Sequence, residues 1–210
     1  TSGQYNTTGN SNTFSGNHSG RSNTTGNNNT FLGNHAGYRN TTGSSNVFLG
    51  FTSGQYNTTG NLNTFSGGYA GHSNTTGRQN TFSGYYAGGN NTSGNDNTFL
   101  GYFTGYRNTI GKKNTYIGLQ AGYNNINGKS NVFLGYQAGQ NETGSNKLYI
   151  ANTSETPLIY GEFDNDLLQI NGSLNINGAF SFPTTDGTES CSQDTVLRRS
   201  KNGRCKRERC

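Results

Sequence analysis

One aromatic ring returns every 17 residues through most of this chain, at Phe14, Phe31, Phe48, Phe65, Phe82, Phe99, Tyr116 and Phe133. A short fixed period constrains the fold more than any other feature, because every copy must take one conformation and bury its apolar side against its neighbours. In register, the unit reads roughly N-T-F-x-G-x-x-A-G-x-x-N-T-T-G-x-x. Units begin at Asn12, Asn29, Asn46, Asn63, Asn80, Asn97, Asn114 and Asn131, the last shortened by two residues before Asn146. That period is too short for paired helices, and the unit is poor in the residues that favour helix. It offers instead a short segment such as Asn29 to Leu32, a glycine turn, a small-residue stretch ending in Ala36-Gly37, and the polar turn Asn40-Thr41-Thr42-Gly43. Regular glycines suit corners where φ is positive or no side chain fits. The expected fold class is all-β: a repetitive β-solenoid with 17-residue coils over residues 1–145, followed by a short non-solenoid β segment.

In such a coil each short strand pairs with its equivalent about 4.8 Å away, so like residues form columns along the axis. The aromatic column becomes a spine, expected to be supported by Leu32, Leu49, Leu100, Ile117 and Leu134 and by Ala36, Ala70, Ala87, Ala121 and Ala138. Asn and Thr columns are expected to satisfy one another through side-chain hydrogen bonds. Eight to nine coils make a rod on the order of 40 Å long at that spacing. One ring and a few small residues per coil bury little area, which points to association of several chains as a further source of stability.

Only 27% of the residues are hydrophobic, and Trp and Met are absent. Low apolar content usually argues disorder, but a charged fraction of 12% and the strict period argue against it. The net charge of +5 arises at the end of the chain, where residues 191–210 hold seven Lys/Arg against Asp194 and Glu208. Residues 1–190 hold eight basic and eight acidic residues, a balance that removes the footprint for nucleic acid outside the tail. No apolar run is long enough to cross a bilayer as a helix. Thr1 to Gly16 repeats Thr52 to Gly67 with one difference, Ser11 against Leu62, so the chain reads as starting mid-repeat.

After Ser145 the composition changes. Residues 146–190 form a β connector, in which Leu168/Ile170, Leu174/Ile176 and Asn171-Gly172 are the pattern of a hairpin. Residues 191–210 share neither pattern; Cys191, Cys205 and Cys210 lack zinc-ligand spacing, and a disordered or non-native tail is expected.

Units such as Asn131-Val132-Phe133-Leu134-Gly135-Tyr136-Gln137-Ala138-Gly139 resemble repeats of long bacterial surface proteins and phage tail-fibre-like proteins. Their Asn/Ser-x-x-x-Gly rhythm is also similar to the head repeats of trimeric autotransporter adhesins. Leu148-Tyr149-Ile150-Ala151-Asn152 followed by Pro157-Leu158-Ile159-Tyr160-Gly161 looks like the connector that precedes an intramolecular chaperone in such fibres. The resemblance implies a homotrimeric, parallel β fibre, extracellular, at a cell surface or on a virion, which displays or spaces a receptor-binding part. The 17-residue unit with its Phe departs from the adhesin head, where smaller aliphatics are usual.

No nucleophile has a base at motif spacing, and neither a P-loop nor a G-x-S-x-G occurs, so the reading is a non-enzyme without cofactor. His18, His35 and His72 could suggest a metal column, but Tyr69, Tyr86, Phe103 and Gln120 replace His in later copies, and no metal site is assigned. Tyr38, Tyr56, Tyr106 and Tyr123 fall in the turn after the second glycine and are candidate ligand contacts for a cell-surface glycan or receptor, the alternative being packing between chains. Tyr69, Tyr85, Tyr86, Tyr102, Phe103 and Tyr136 precede that glycine. A structural or adhesive shaft is the leading function. Carbohydrate binding is the alternative, and ice binding through Thr24, Thr41, Thr58, Thr75, Thr92 and Thr109 is a minor one, disfavoured because paired threonines beside a glycine corner face different ways.

Overall fold

The computed structural model of the chain describes residues 1–177 and the strand residues 197–199 and 205–207. Two compact units divide it, Thr1–Asn171 and Gly172–Cys210. In the first, each copy of the unit contributes one three-residue strand: β1 (Thr13–Ser15), β2 (Thr30–Leu32), β3 (Val47–Leu49), β4 (Thr64–Ser66), β5 (Thr81–Ser83), β6 (Thr98–Leu100), β7 (Thr115–Ile117) and β8 (Val132–Leu134). Consecutive strands pair in parallel with aromatic opposite aromatic, from Phe14 against Phe31 to Tyr116 against Phe133. The unit is therefore a β-solenoid of about eight turns of ~17 residues.

Strand alternation decides what lies inside. The middle residue points inward, and Phe31, Phe48, Phe65, Phe82, Phe99, Tyr116 and Phe133 are fully buried, while Phe14 in the first coil is half-buried. Neighbouring rings stack almost parallel, with centroids 4.7 Å apart for Phe31–Phe48 and 4.6 Å for Tyr116–Phe133. The flanking residues point outward. Leu32 and Ile117 are each 40% exposed, so the Leu and Ile residues expected to support the spine instead form a column on the outer surface. Ala36, Ala70, Ala87, Ala121 and Ala138 do line the interior. Where Ser replaces Ala, its hydroxyl is satisfied: Ser19 donates to the Phe31 carbonyl at 2.8 Å and Ser53 to that of Phe65 at 3.0 Å.

Two asparagine columns complete the interior. In one, Asn40, Asn57, Asn74 and Asn91 each donate from Nδ2 to the Oδ1 of the preceding coil at 2.7–2.8 Å and to a carbonyl three residues on. The sense reverses at Asn108, whose Nδ2 donates to the Asn125 carbonyl, leaving Oδ1 of Asn91, Asn108 and Asn125 without a partner among the described residues. In the other column Asn29 through Asn131 accept the backbone N–H of the next coil, as Asn46 Oδ1 does from Asn63 at 3.0 Å. The threonine column is joined through backbone carbonyls and not through side-chain pairs as expected. Thr24, Thr41, Thr58 and Thr75 each donate to the backbone carbonyl of the next coil at 2.9 Å. Backbone bonds run between coils in the turns as well, as from Gly20 N to Ala36 O and from His35 N to Asn17 O, both 2.9 Å. A thin apolar core is thus supplemented by polar ladders within one chain, each bond contributing about 1 kcal/mol.

Close stacking also explains one glycine column. At Gly33 a Cβ would lie 2.4 Å from the Gly50 carbonyl oxygen, and φ is +139°, so the corner admits no side chain. Two further positions per coil hold positive φ without glycine, exemplified by Tyr86 at 54° and Lys113 at 58°; both columns lie in turns, between the strands.

The stack ends in β9 (Lys147–Ile150), β10 (Ile159–Glu162) and β11 (Leu167–Ile170). β9 pairs in parallel with β8 and antiparallel with β10, so it is a ninth rung and also the first strand of the terminal segment. Lys147 N bonds to Asn131 Oδ1 at 2.8 Å and Tyr149 lies opposite Phe133, so the last unit is one residue short, not two. The Tyr149 ring is turned 83° to Phe133, which closes the parallel ring stack. The expected hairpin at Asn171-Gly172 is not formed. The chain turns instead between β10 and β11, and Asn171 anchors the strand end by donating to the Pro157 carbonyl at 2.9 Å.

In the second unit β12 (Leu197–Arg199) pairs antiparallel with β13 (Cys205–Arg207). Apart from these strands, the expectation of a disordered tail over 191–210 falls outside the described residues.

Candidate functional site

The coil presents each outer position as a straight column, so a binding face on this rod is a set of adjacent columns. The aromatic columns form one connected surface. Tyr69 stacks on Tyr86 at 4.5 Å and Tyr86 on Phe103 at 5.2 Å; Tyr85 stacks on Tyr102 at 5.4 Å, and Tyr106 on Tyr123 at 5.4 Å. Edge-on contacts join the columns, among them Phe51–Tyr69, Tyr86–Tyr106 and Phe103–Tyr106.

Tyr38, Tyr106 and Tyr123 share a column, whereas Tyr56 lies one residue further along its coil. All four are half-buried. Their ring faces are engaged within the rod: Arg21 lies over Tyr38 at 5.5 Å, Arg39 over Tyr56 at 4.8 Å, and Tyr106 and Tyr123 cover each other. What these tyrosines offer a partner is ring edges and hydroxyls, a poorer platform for stacking a sugar than an open face.

His18 stacks on His35 at 5.3 Å, and burial holds the imidazoles of His18 and His72 below their usual pKa. No group of three or more His, Cys, Asp or Glu among the described residues could hold a metal ion. Thr24 and its equivalents are half-buried, and their hydroxyls are committed to carbonyls. The threonines with outward positions on a flat sheet are those of the strands, such as Thr64 and Thr81.

The terminal strands carry a polar cluster. Lys147 Nζ lies 2.9 Å from Glu162 Oε1. Tyr160 and Asn165 also donate to that carboxylate, and hydrogen bonding, from Tyr160 first, lowers the Glu162 pKa to about 2. Tyr149 donates to Glu142 at 2.8 Å, and burial with that contact raises its phenol pKa.

One column escaped the sequence reading. The charge balance over residues 1–190 conceals a segregation by sign: Arg21, Arg39, Arg78, Arg107, Lys112, Lys113 and Lys129 stand against Asp96 alone in residues 1–141. Residues 142–177 reverse this, with Glu142, Glu155, Glu162, Asp164 and Asp166 against Lys147. Arg78, Lys112 and Lys129 occupy one turn position in three of four consecutive coils, with Lys113 beside them, and all four are exposed. Summing charge coil by coil would have found it.

No protein-family model, curated protein or solved structure matches this chain.

Proposed function

We propose that the chain is a stretch of a surface-fibre shaft, outside the cell or on a virion, that spaces or presents a receptor-binding part and works as a parallel homotrimer. The observation that carries this reading is the in-register stack, in which strands, aromatic rings and most interior asparagines are paired to the coil before and after them. Such a stack resists bending and holds outer side chains at constant spacing. The resemblance to repeats of surface and tail-fibre-like proteins points the same way.

Trimerisation is supported by the outer apolar column beside the glycine corner. Leu32, Phe51, Tyr102, Ile117, Leu119 and Tyr136 are all exposed there. A ridge one corner wide and about 40 Å long buries on the order of 400 Å² per chain against one neighbour, half the roughly 800 Å² per partner of a stable interface. Three-fold packing gives every chain two neighbours, one for each flank of the ridge, and closed symmetry prevents open-ended growth. The test is small-angle scattering and light scattering on the chain fused to a heterologous trimerisation domain. A trimeric rod is expected; a folded rod whose scattering shows three separate, tethered solenoids refutes the trimer, and a globular envelope refutes the shaft.

A further inference from the structure

We propose that the basic column Arg78–Lys112–Lys129, with Lys113, binds a linear anionic polysaccharide laid along the rod axis. The column is held straight by the solenoid itself. Backbone bonds run from Asp96 N to Arg78 O at 3.0 Å, Lys113 N to Asn95 O at 3.0 Å and Ser130 N to Lys112 O at 2.9 Å, so each rung sits directly over the last. With about 4.8 Å per rung, Arg78 stands roughly 10 Å from Lys112 and Lys112 roughly 5 Å from Lys129 along the axis. The ion pair among the described residues is Lys147 with Glu162, which leaves these four cations facing solvent. Asp96 is the one acid in the adjoining turn column, one coil from Lys113. By contrast, Arg21 and Arg39 on the other face are already laid over tyrosine rings.

The geometry selects among polyanions. A bilayer presents a plane of charge, whereas these cations form a line. The phosphates of a duplex wind about its axis and leave a straight line within a few base pairs. A single-stranded nucleic acid gains most from bases stacking on open aromatic faces, and the faces of Tyr56, Tyr69, Tyr86, Tyr106 and Tyr123 are covered by neighbouring rings or a guanidinium group, while the exposed rings of Phe51, Tyr102 and Tyr136 stand on the apolar ridge past the glycine corner. A linear glycan with a carboxylate or sulfate on successive sugars keeps its charge in line with the column. The outward hydroxyls of Thr81 and Thr98, in the strands that follow this turn, are placed to meet sugar hydroxyls. In a trimer closed through the apolar ridge the column stays outside, since packing identical cationic rows together would be repulsive. The inference therefore holds for one chain or three.

The experiment measures binding of polygalacturonate, dextran sulfate, neutral dextran, oligo(dT) and phosphatidylglycerol-containing vesicles to the full chain. It is run in a background where the seven Lys and Arg residues of 191–210 are changed to Gln, so that the tail adds no charge of its own. Four neutralised charges, at a slope of about −0.7 each, predict a loss of about 50-fold between about 50 mM and 200 mM salt. Arg78→Gln/Lys112→Gln/Lys129→Gln should weaken binding of a charged glycan by at least about tenfold at low salt and reduce the salt slope to roughly −1. Arg21→Gln/Arg39→Gln should change it less than about twofold. Equal losses in the two variants, no binding to either charged glycan, or tighter binding of oligo(dT) or vesicles would each overturn the proposal. Rod length and oligomeric state are read separately by scattering, so this failure is distinct from failure of the shaft reading.

Discussion

Replacing Asn57 with alanine tests whether the polar ladder holds the rod together. Asn57 is fully buried; its Nδ2 donates to Asn40 Oδ1 at 2.7 Å and to the Gly60 carbonyl at 3.0 Å, and its Oδ1 accepts from Asn74 Nδ2 at 2.7 Å. Alanine removes three bonds and leaves Asn40 Oδ1 and one N–H of the Asn74 amide unpaired in the interior, while the Gly60 carbonyl keeps its bond from Asn46 Nδ2 at 2.8 Å. At a net value of about 1 kcal/mol per bond the loss is at least about 3 kcal/mol, and the two desolvated orphans raise it to roughly 5 kcal/mol. Asn6 makes the same kind of contacts at the exposed start of the column, donating to Gly9 at 2.8 Å and accepting from Asn23 at 2.7 Å. Water replaces them there, so Asn6→Ala should cost no more than about 1 kcal/mol. Urea unfolding followed by circular dichroism measures both. At about 2–4 °C per kcal/mol for a domain of this size, Asn57→Ala should also lower Tm by roughly 10 °C. Equal stabilities of the two variants would refute the ladder as a source of stability and return the burden to chain association.

Phe82→Ala should cost about 3–5 kcal/mol, and Phe14→Ala clearly less, because only the second ring keeps part of its surface in water; equal losses in urea melts would contradict the burial gradient. Ile117→Ser should cost no more than about 1.5 kcal/mol in a monomer, well below Phe82→Ala, because Ile117 is already 40% exposed to water. The Glu162 carboxyl has a folded pKa of about 2 against its ordinary 4.5, so its contribution is present above 4.5 and is lost as pH falls from 4.5 toward 2. Hydrogen exchange should accordingly show β9, β10 and β11 opening across that window before the coils do, and Glu162→Gln should abolish the pH dependence.

The repeat made the coil, its period and its aromatic spine readable, since Phe and Ala recur where an inward side chain must. The outward Leu column was misread because apolar character was taken as burial. Ser15, Ser66 and Ser83 occupy the same position, and a polar residue tolerated there marks the solvent side of an alternating strand. Positive φ at Tyr86 and Phe103 had no local signal, since neither residue favours that region; inter-coil bonds impose it. Asn171-Gly172 has the composition of a tight turn, yet Asn171 is used to tie down Pro157, a long-range contact invisible to local pattern. The basic column was present in the letters and was cancelled by adding the acidic terminal strands to the same sum.

Every ladder bond inside the stack reaches one coil back or one coil forward, as in the asparagine columns, where partners are 17 residues apart. Nothing in the interior therefore counts coils; only the crosswise Tyr149 ring and the reversal into β10 mark an end. An in-frame duplication or loss of one whole unit would shift that end by about 4.8 Å and leave each remaining rung with the same neighbours. A gain or loss of any other length would carry a Phe out of its column and an Asn out of its ladder unless a turn absorbed it, as the one-residue shortening before β9 is absorbed. Length is thus a heritable trait that can drift in single-rung steps at almost no cost in foldability, and a gene of this kind can lengthen or shorten its reach by recombination between its own repeats.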